Sequence, residues 1–323
     1  MNEPIAHWPG KVLELDGTAV HVRSTPAGPD EAGVFVHGLA GSATNWTDLM
    51  GELSGTMTGY ALDLPGAGYS PAPADGDYSI SAHARAVIAL VEHVALKQGA
   101  GPVHLFGNSL GGAVSVRVAA TRPDLVRTLT LVSPALPDLT PRYGPARVAF
   151  SATPGLGEWV VGRLRHLPAE RRIKATMAMC YADATRVHPL RLKDAVAELI
   201  RRDELPHTGA SLVGSARGLA SEYIRAYLEE YRRRGDGGDS LWRQAARVQA
   251  PTLVVHGVHD RLVHARTAIR AARTFPDVRL VVLPHAAHVA QMEYPEVVAR
   301  EVRALIDHAR ARDARQDAVR QDA

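Results

Sequence analysis

Residues 107–112 read Gly-Asn-Ser-Leu-Gly-Gly and join two stretches of different periodicity. The preceding run Val103–Phe106 is apolar except for His104, as in a buried strand, and Leu110–Thr121 has a helical pattern that stops before Pro123. Glycines two residues before and after the serine let the chain turn tightly from strand to helix. A serine in this turn projects its hydroxyl at the carboxyl edge of a sheet, in front of a helix N-terminus that favours negative charge. The pattern predicts that Ser109 is a nucleophile; the alternative is a glycine-rich turn with an incidental serine.

The rest of the chain alternates short β-type runs with amphipathic helical segments, which is the pattern of an α/β fold. Several runs are continuously apolar, as expected of parallel strands covered on both faces. The predicted strands are Val20–Arg23, Gly33–Val36, Tyr60–Leu62, Val103–Phe106, Thr128–Val132, Thr252–Val255 and Arg279–Leu283. The predicted helices are Trp46–Leu53, Ile80–Lys97, Leu110–Thr121 and Pro295–Arg312. The alternation lapses from Pro134 to Arg247, where the pattern is helical and rich in arginine.

The strand, serine turn and helix resemble those of the α/β-hydrolase fold superfamily, in its serine hydrolase and esterase branch. The resemblance covers about Val20–Val132 and Thr252–Arg303. It implies a mostly parallel central sheet flanked by helices, with a helical cap inserted between late strands. We therefore expect a catalytic core of residues 1–133 and 248–323 and a cap of residues 134–247.

A second motif, His-Gly-Leu-Ala-Gly at residues 37–41, follows the strand Gly33–Val36. In the superfamily this loop supplies one backbone N–H of an oxyanion hole, and the residue after the nucleophile supplies the other. The resemblance therefore implies Leu39 and Leu110 as the two donors. It also implies supporting roles for His37, Gly38 and Asn108, with His37 bracing its loop.

A serine hydroxyl needs a base and an orienting acid to act as a nucleophile. Residues 254–261, Val-Val-His-Gly-Val-His-Asp-Arg, resemble the G-x-x-D segment of the superfamily, which implies Asp260 as the acid. Residues 287–296, Ala-His-Val-Ala-Gln-Met-Glu-Tyr-Pro-Glu, resemble its G-H-x-x-x-x-E-x-P segment with alanine in place of the glycine, which implies His288 as the base. The neighbouring His259 lacks these downstream residues. The chain order Ser109, Asp260, His288 is that of the superfamily.

The amino-acid composition indicates a globular protein and limits the compartments in which it is expected. The chain has 323 residues, 46% apolar and 22% charged, as in a globular protein. The single cysteine, Cys180, excludes an intrachain disulfide framework and suits a reducing compartment, so a cytoplasmic location is expected. No secretory signal is evident at the N-terminus, and no apolar run reaches the ~18–20 residues of a membrane span.

Charge is unevenly distributed along the chain. The formal net charge is +3, but residues 134–247 carry 19 Lys/Arg against 13 Asp/Glu and so account for +6, leaving −3 for the remainder. The expected interpretation of this charge is a solvated arginine face, and the alternative is a basic cap that attracts an anionic substrate or an anionic membrane surface. Nucleic acid is not expected as a partner, because aromatic residues make up only 5% of the chain and are not interleaved with the basic ones.

The predicted reaction is hydrolysis of a small-molecule carboxylic ester through an acyl-enzyme intermediate, with no cofactor. Asn108 and the residues after His288 also resemble hydrolases that cleave carbon–carbon bonds in ring-fission products of aromatics, which act on ketones, although residues 39–42 depart from that loop. An acyltransferase, a cofactor-free peroxidase and a non-catalytic binding protein stay open as alternatives. His256, His259 and His264 could mimic a ligand cluster, but no metal site is expected. The sequence makes no prediction of the oligomeric state.

Overall fold

The computed structural model describes residues 4–97, 99–138, 153, 155–231 and 239–321. Its strands are β1 (Gly10–Leu15), β2 (Thr18–Ser24), β3 (Ala32–Val36), β4 (Thr58–Leu62), β5 (Val103–Asn108), β6 (Val126–Val132), β7 (Thr252–Gly257) and β8 (Val278–Leu283). Its helices are α1 (Thr47–Leu53), α2 (Ile80–Glu92), α3 (Leu110–Thr121), α4 (Leu156–Leu164), α5 (Ala169–Cys180), α6 (Pro189–Asp203), α7 (Thr208–Tyr231), α8 (Leu241–Ala245), α9 (Ala265–Thr274), α10 (Ala290–Glu293) and α11 (Pro295–Gln321).

One sheet contains all of these strands, in the order β1-β2-β4-β3-β5-β6-β7-β8. The strands from β3 to β8 run parallel, whereas β1 and β2 pair antiparallel to each other and β2 pairs antiparallel to β4. Every predicted strand lies in this sheet, so the predicted α/β fold with a mostly parallel sheet is confirmed. Because the parallel strands share a direction, their carboxyl ends meet at one edge, where ligands of such sheets bind.

The edge strand β1 is the one that the sequence patterns do not predict. Only Leu15 of this strand is buried, so it lacks the continuous apolar run that marks the central strands. The turn that joins it to β2 is Asp16-Gly17, with φ of 48° and 79°. Asp-Gly with positive φ at both positions is a strong hairpin signal, and this dipeptide is the sequence feature that reveals the strand.

Two apolar layers cover the faces of the sheet. Successive strand residues point to opposite faces, so Val34 packs with the layer of α2 and α3 while Phe35 packs with that of α1 and α11. Phe35 and Phe106 stack on neighbouring strands with ring centroids 4.2 Å apart. The four predicted helices are present; the segment predicted as Ile80–Lys97 is α2 followed by a π-helical turn from His93 to Lys97.

The helices α4 to α8 lie between β6 and β7 in the chain, in the region predicted to be the cap (residues 134–247, hereafter the cap region). Neither α5 nor α6 contains a buried residue, whereas α8 contributes Leu241, Trp242 and Ala245 to the layer beside α3. A buried ion pair of 3.1 Å between Arg117 on α3 and Glu222 on α7 fixes the cap region to the helix after the serine turn. Among the described residues, no helix has both the length and the apolar character needed to cross a membrane.

Candidate active site

The backbone at Ser109 is strained, as its place between strand and helix demands. Its φ and ψ are 53° and −117°, and α3 begins at the next residue. A Cβ at Gly107 would lie 2.5 Å from the Gly111 carbonyl oxygen, and one at Gly111 would lie 2.2 Å from that of Val36, so both positions require glycine. Strain of this kind persists where the surroundings fix it. The Ser109 N–H donates to the Val132 carbonyl at 3.1 Å, which ties the turn to the end of β6.

Asp260 and His288 meet in a buried contact beyond the carboxyl ends of β7 and β8. The His288 Nδ1–H donates to the two Asp260 carboxylate oxygens at 3.0 and 3.2 Å, and the Asp260 side chain is 0% exposed. Burial by itself raises the pKa of Asp260. The charge and hydrogen bond of His288, together with the N–H groups of Leu262 and Val263, outweigh that and hold this pKa below its usual value. An ionised Asp260 keeps the proton on Nδ1 of His288, which leaves Nε2 as the acceptor.

Asn108 joins the serine turn to the loop of His288. Its side-chain amide donates to the Val132 carbonyl at 3.0 Å and to the His288 carbonyl at 3.1 Å. No hydrogen bond connects the Ser109 hydroxyl with the His288 ring among the residues that the structure describes. Catalytic hydrogen bonds are often long in the absence of substrate and tighten in the complex. The structure therefore brings the predicted base His288 and the predicted acid Asp260 into direct contact. It links Ser109 to them through the neighbouring Asn108.

The loop of residues 37–41 lies against the serine turn. A Cβ at Gly38 would be 3.0 Å from Ser109 Cβ, so the loop backbone passes close to the predicted nucleophile. The Leu110 N–H is at the first position of α3, where no intrahelical acceptor exists. Leu39 and Leu110 both line one cavity, which brings the two predicted oxyanion donors to a common space.

His37 braces this loop through both ring nitrogens. Its Nε2 accepts the Leu64 N–H at 3.0 Å, so its Nδ1–H donates to the Gly38 carbonyl at 2.8 Å. Burial lowers the pKa of His37, which keeps the ring neutral. Asp63 anchors the next loop, because its carboxylate accepts from the N–H groups of Ala43 and Tyr69 and from His21.

The other histidines near Asp260 lie in three different environments. His259 is exposed, His256 is buried with an unpaired Nδ1, and His264 caps the N-terminus of α9. Within the described ranges, no group of three or more His, Cys, Asp or Glu side chains could hold a metal ion. Cys180 is a poor nucleophile, since burial and the nearby Asp260 and Glu293 carboxylates raise the pKa of its thiol to about 12.

A small, partly open cavity lies beside the loop of residues 37–41, and the cap region contributes to its wall. Its lining comprises His37, Gly38, Leu39, Ala40, Leu64, Pro65, Gly66, Ala67, His83, Leu110, Arg202, Ser211, Leu212 and Ser215. Arg202, His83, Ser211 and Ser215 are functional candidates that sequence reasoning missed. Arginine is common throughout the cap region, so no local pattern sets Arg202 apart; only the packing of α6 against the loop does.

Arg202 is the charged group of this cavity. Its Nη1–H donates to the Ala40 carbonyl at 2.9 Å, and it forms no ion pair with any described carboxylate. Burial lowers the pKa of its guanidinium, but arginine stays protonated in proteins. The buried His83 is bonded to Ser215 at 3.0 Å, and its burial lowers its pKa to about 4, so it is neutral. The cavity wall thus mixes apolar side chains with a few polar ones, and Arg202 is its one charged lining residue. The carboxylates of Glu198 and Asp63 lie outside the lining and partly offset this charge through space.

A family model described as the alpha/beta hydrolase fold matches residues 34–295. The chain therefore belongs to the α/β-hydrolase fold family, and the resemblance seen in the sequence motifs is confirmed. This family assignment supports a hydrolase.

Individual relatives lie at low identity but span nearly the whole chain. The 2-(acetamidomethylene)succinate hydrolase of Mesorhizobium japonicum is 27% identical over 93% of this chain and 96% of its own length. A 2-hydroxymuconate semialdehyde hydrolase of Pseudomonas putida is 28% identical over 89% of this chain and 85% of its own. The crystal structure of a putative lipase of Acinetobacter baumannii superposes with a TM-score of 0.71 at 19% identity, covering 94% of this chain and 92% of that one. The last likeness concerns the fold alone.

Proposed function

We propose that this protein is a serine hydrolase that cleaves a small carboxylic ester through an acyl-enzyme, with Ser109, His288 and Asp260 as its catalytic triad. The observation that carries the proposal is the buried Asp260–His288 contact, whose loop is bonded to Asn108, the residue before a strained Ser109. A serine hydroxyl is activated by a histidine that accepts its proton, and a buried carboxylate holds that histidine in the required tautomer.

In the first half-reaction Ser109 Oγ attacks the ester carbonyl and His288 Nε2 accepts its proton. The negative charge that develops on the carbonyl oxygen is stabilised by the N–H groups of Leu39 and Leu110, and loss of one such donor costs about 3 kcal/mol. His288 then returns the proton to the leaving alkoxide, which departs as the alcohol. Water, deprotonated by His288, attacks the acyl-enzyme and releases the acid and free Ser109.

The substrate class follows from the charge in the cavity. Arg202 lines the same space as Leu39 and Leu110. Among the described residues no carboxylate is in ion-pair contact with it, and Glu198 and Asp63 act on it only at longer range. A substrate carboxylate is the natural complement of a guanidinium in a partly dry site. The hydrolases of Mesorhizobium japonicum and Pseudomonas putida are named for substrates that are acids, which supports an ester that also bears a carboxylate.

The test is labelling and turnover by the purified chain. A fluorophosphonate should modify Ser109, located by peptide mass, and chromogenic esters of increasing acyl length should be hydrolysed. Ser109→Ala and His288→Ala should each lose about 10³-fold or more in kcat. The exposed His259, one residue from Asp260, provides a matched control, and His259→Ala should retain activity. Folded wild-type protein that is neither labelled nor active on any ester would refute the proposal.

A second candidate is hydrolysis of a carbon–carbon bond in a ring-fission product. It is favoured by Asn108 ahead of the serine and by the relative that acts on 2-hydroxymuconate semialdehyde. The same Ser109 and His288 would serve, with a ketone as the electrophile and a carbon leaving group that takes the proton. A ring-fission product assayed beside the esters separates the two: a higher kcat/KM on the ketone, abolished by Ser109→Ala, would assign the chain to this reaction.

A further inference from the structure

His288 is held by three anchors, and one of them comes from the cap region. Its ring donates to Asp260, and its carbonyl accepts from Asn108 at 3.1 Å. Its backbone N–H donates to the Cys180 carbonyl at 2.9 Å, and Cys180 is the last residue of α5. The predicted base is therefore bonded directly to the cap region, whose helices α6 and α7 contribute to the cavity wall.

Glu293 spans the same junction. One carboxylate oxygen, Oε1, accepts the Ala287 N–H at 2.7 Å, and the other, Oε2, accepts the Ala182 N–H at 2.8 Å. Ala287 immediately precedes His288, and Ala182 follows α5. Burial raises the pKa of Glu293, while these two N–H donors oppose that rise. Hydrogen bonds to an ionised carboxylate are among the stronger ones, so Glu293 links the segment after α5 to the loop of His288.

The acid side of the site shares the connection. Arg261, next to Asp260, donates through Nη1 to the Ala178 carbonyl in the last turn of α5. The end of α5 and the residues after it, Ala178 to Ala182, are thus bonded to the loops of both the acid and the base. A shift of this segment relative to the sheet would be transmitted to both side chains.

We propose that Glu293 is a positioning residue that couples the cap region to the base, so that His288 reaches its working position only when residues 178–182 are seated against its loop. The inference rests on the proposed function of His288. Misplacement of a reacting group by about 1 Å can cost about 100-fold in rate without loss of substrate affinity. The coupling should therefore act on kcat rather than on KM.

The contrasting view is that Glu293 only closes its own loop through Ala287. Ala182→Pro separates the two, because it deletes the N–H on the cap side and leaves the Glu293–Ala287 bond untouched. Tyr181 has φ −100° and ψ 148°, the extended conformation that a residue before proline prefers. Glu293→Gln is the complementary change, which places an amide NH₂ where one of the two backbone N–H groups needs an acceptor. The exposed Glu296, in the first turn of α11, is the matched control.

The experiment compares wild type, Glu293→Gln, Ala182→Pro, their double variant and Glu296→Gln. Active sites are titrated with the fluorophosphonate so that kcat is expressed per labelled Ser109, and thermal unfolding monitors the fold. We expect a fall of about 10- to 100-fold in kcat for each single variant, with a much smaller change in KM. The kcat of the double variant should fall no further than that of the more impaired single variant, because both changes disrupt the same Glu293–Ala182 hydrogen bond. The low-field proton resonance of the His288 Nδ1–H should weaken in both single variants and stay unchanged in Glu296→Gln.

Wild-type kcat and resonance in Ala182→Pro would overturn the coupling, as would an equal loss in Glu296→Gln or a change confined to KM. If Glu293→Gln does not fold, Ala182→Pro still decides the question. Failure of the proposed function looks different, because wild type itself would then be unlabelled and inactive. The resonance needs no substrate, so it would still show whether residues 178–182 position His288.

Discussion

Replacing Arg202 by glutamine should turn an enzyme that prefers anionic esters into one that ignores the charge of its substrate. Glutamine keeps a hydrogen-bond donor of similar reach toward the Ala40 carbonyl and removes the positive charge. The cavity wall also contains His83, which is neutral because burial lowers its pKa to about 4. Arg202 is therefore the group whose loss should change how the cavity responds to a carboxylate.

The magnitude follows from the partial burial of the site. Two unit charges about 4 Å apart interact by about 4 kcal/mol at the effective dielectric of a protein surface. Arg202 is half-buried and desolvation offsets part of this, so a value near that of a charged hydrogen bond, about 2 kcal/mol, is expected. At 1.4 kcal/mol per decade this is about 30-fold in kcat/KM.

The assay compares a neutral chromogenic ester with one of equal length that ends in a carboxylate. The adjacent Arg201 is the matched control, since its guanidinium donates to the Gly68 carbonyl at 2.7 Å and stacks 3.6 Å from the Tyr69 ring centroid. Arg202→Gln should remove the anionic preference and leave the neutral ester almost unaffected, while Arg201→Gln keeps the preference. A wild type without any preference, or equal loss on both esters, would refute the reasoning. Salt at 0.5 M should reduce this preference less than it would reduce one caused by surface charges, because buried charge pairs are screened less.

Three further predictions concern the rest of the molecule. Arg117→Met leaves the buried Glu222 with only the more distant Arg225, 3.8 Å away. It should lower the free energy of unfolding in urea titration by up to about 3 kcal/mol, and adding Glu222→Leu should recover most of this loss. Cys180, with its pKa raised by burial to about 12, should react with iodoacetamide at pH 8 far more slowly in native than in unfolded protein, as followed by mass. The hydrogen bond from His104 is the main cause that lowers the pKa of Glu31 to about 2. The ionised Glu31 therefore stabilises the fold above about pH 4.5, and this stabilisation is lost on acidification toward pH 2. Glu31→Gln should flatten that part of the curve of unfolding free energy against pH.

The parts of the site that sequence patterns predict are those fixed by local geometry. Gly107 and Gly111 are needed because the chain cannot otherwise turn beside the backbone of Val36, so the motif and the strained Ser109 occur together. Asp260 and His288 follow strands that end at the same edge of a parallel sheet, and their side chains meet there. Their catalytic roles stay predictions until the proposed variants are measured.

The parts that the sequence does not reveal depend on contacts across long stretches of chain. α5 and α6 contain no buried residue, so their amphipathic patterns do not show which face meets the core. Arg202 reaches a carbonyl of the loop at residues 37–41, and Glu293 meets the N–H of a residue 111 positions earlier. Neither pairing leaves a local signature; each arises from the way the helices are seated.

Several arginines that give the cap region its excess positive charge form ion pairs in the structure, whereas Arg202 does not. Arg191 is paired with Asp48, Arg172 with Asp203 and Arg217 with Glu158, so these cations are neutralised where they lie. Arg202 has no such partner among the described residues and lines the cavity beside the oxyanion loop. We therefore expect any charge selection to depend on this one side chain at contact distance rather than on the summed field of the region. Because α6 presents this side chain while the end of α5 is bonded to His288, we expect the same region to influence both which substrate enters and whether the proposed base is in place to act on it.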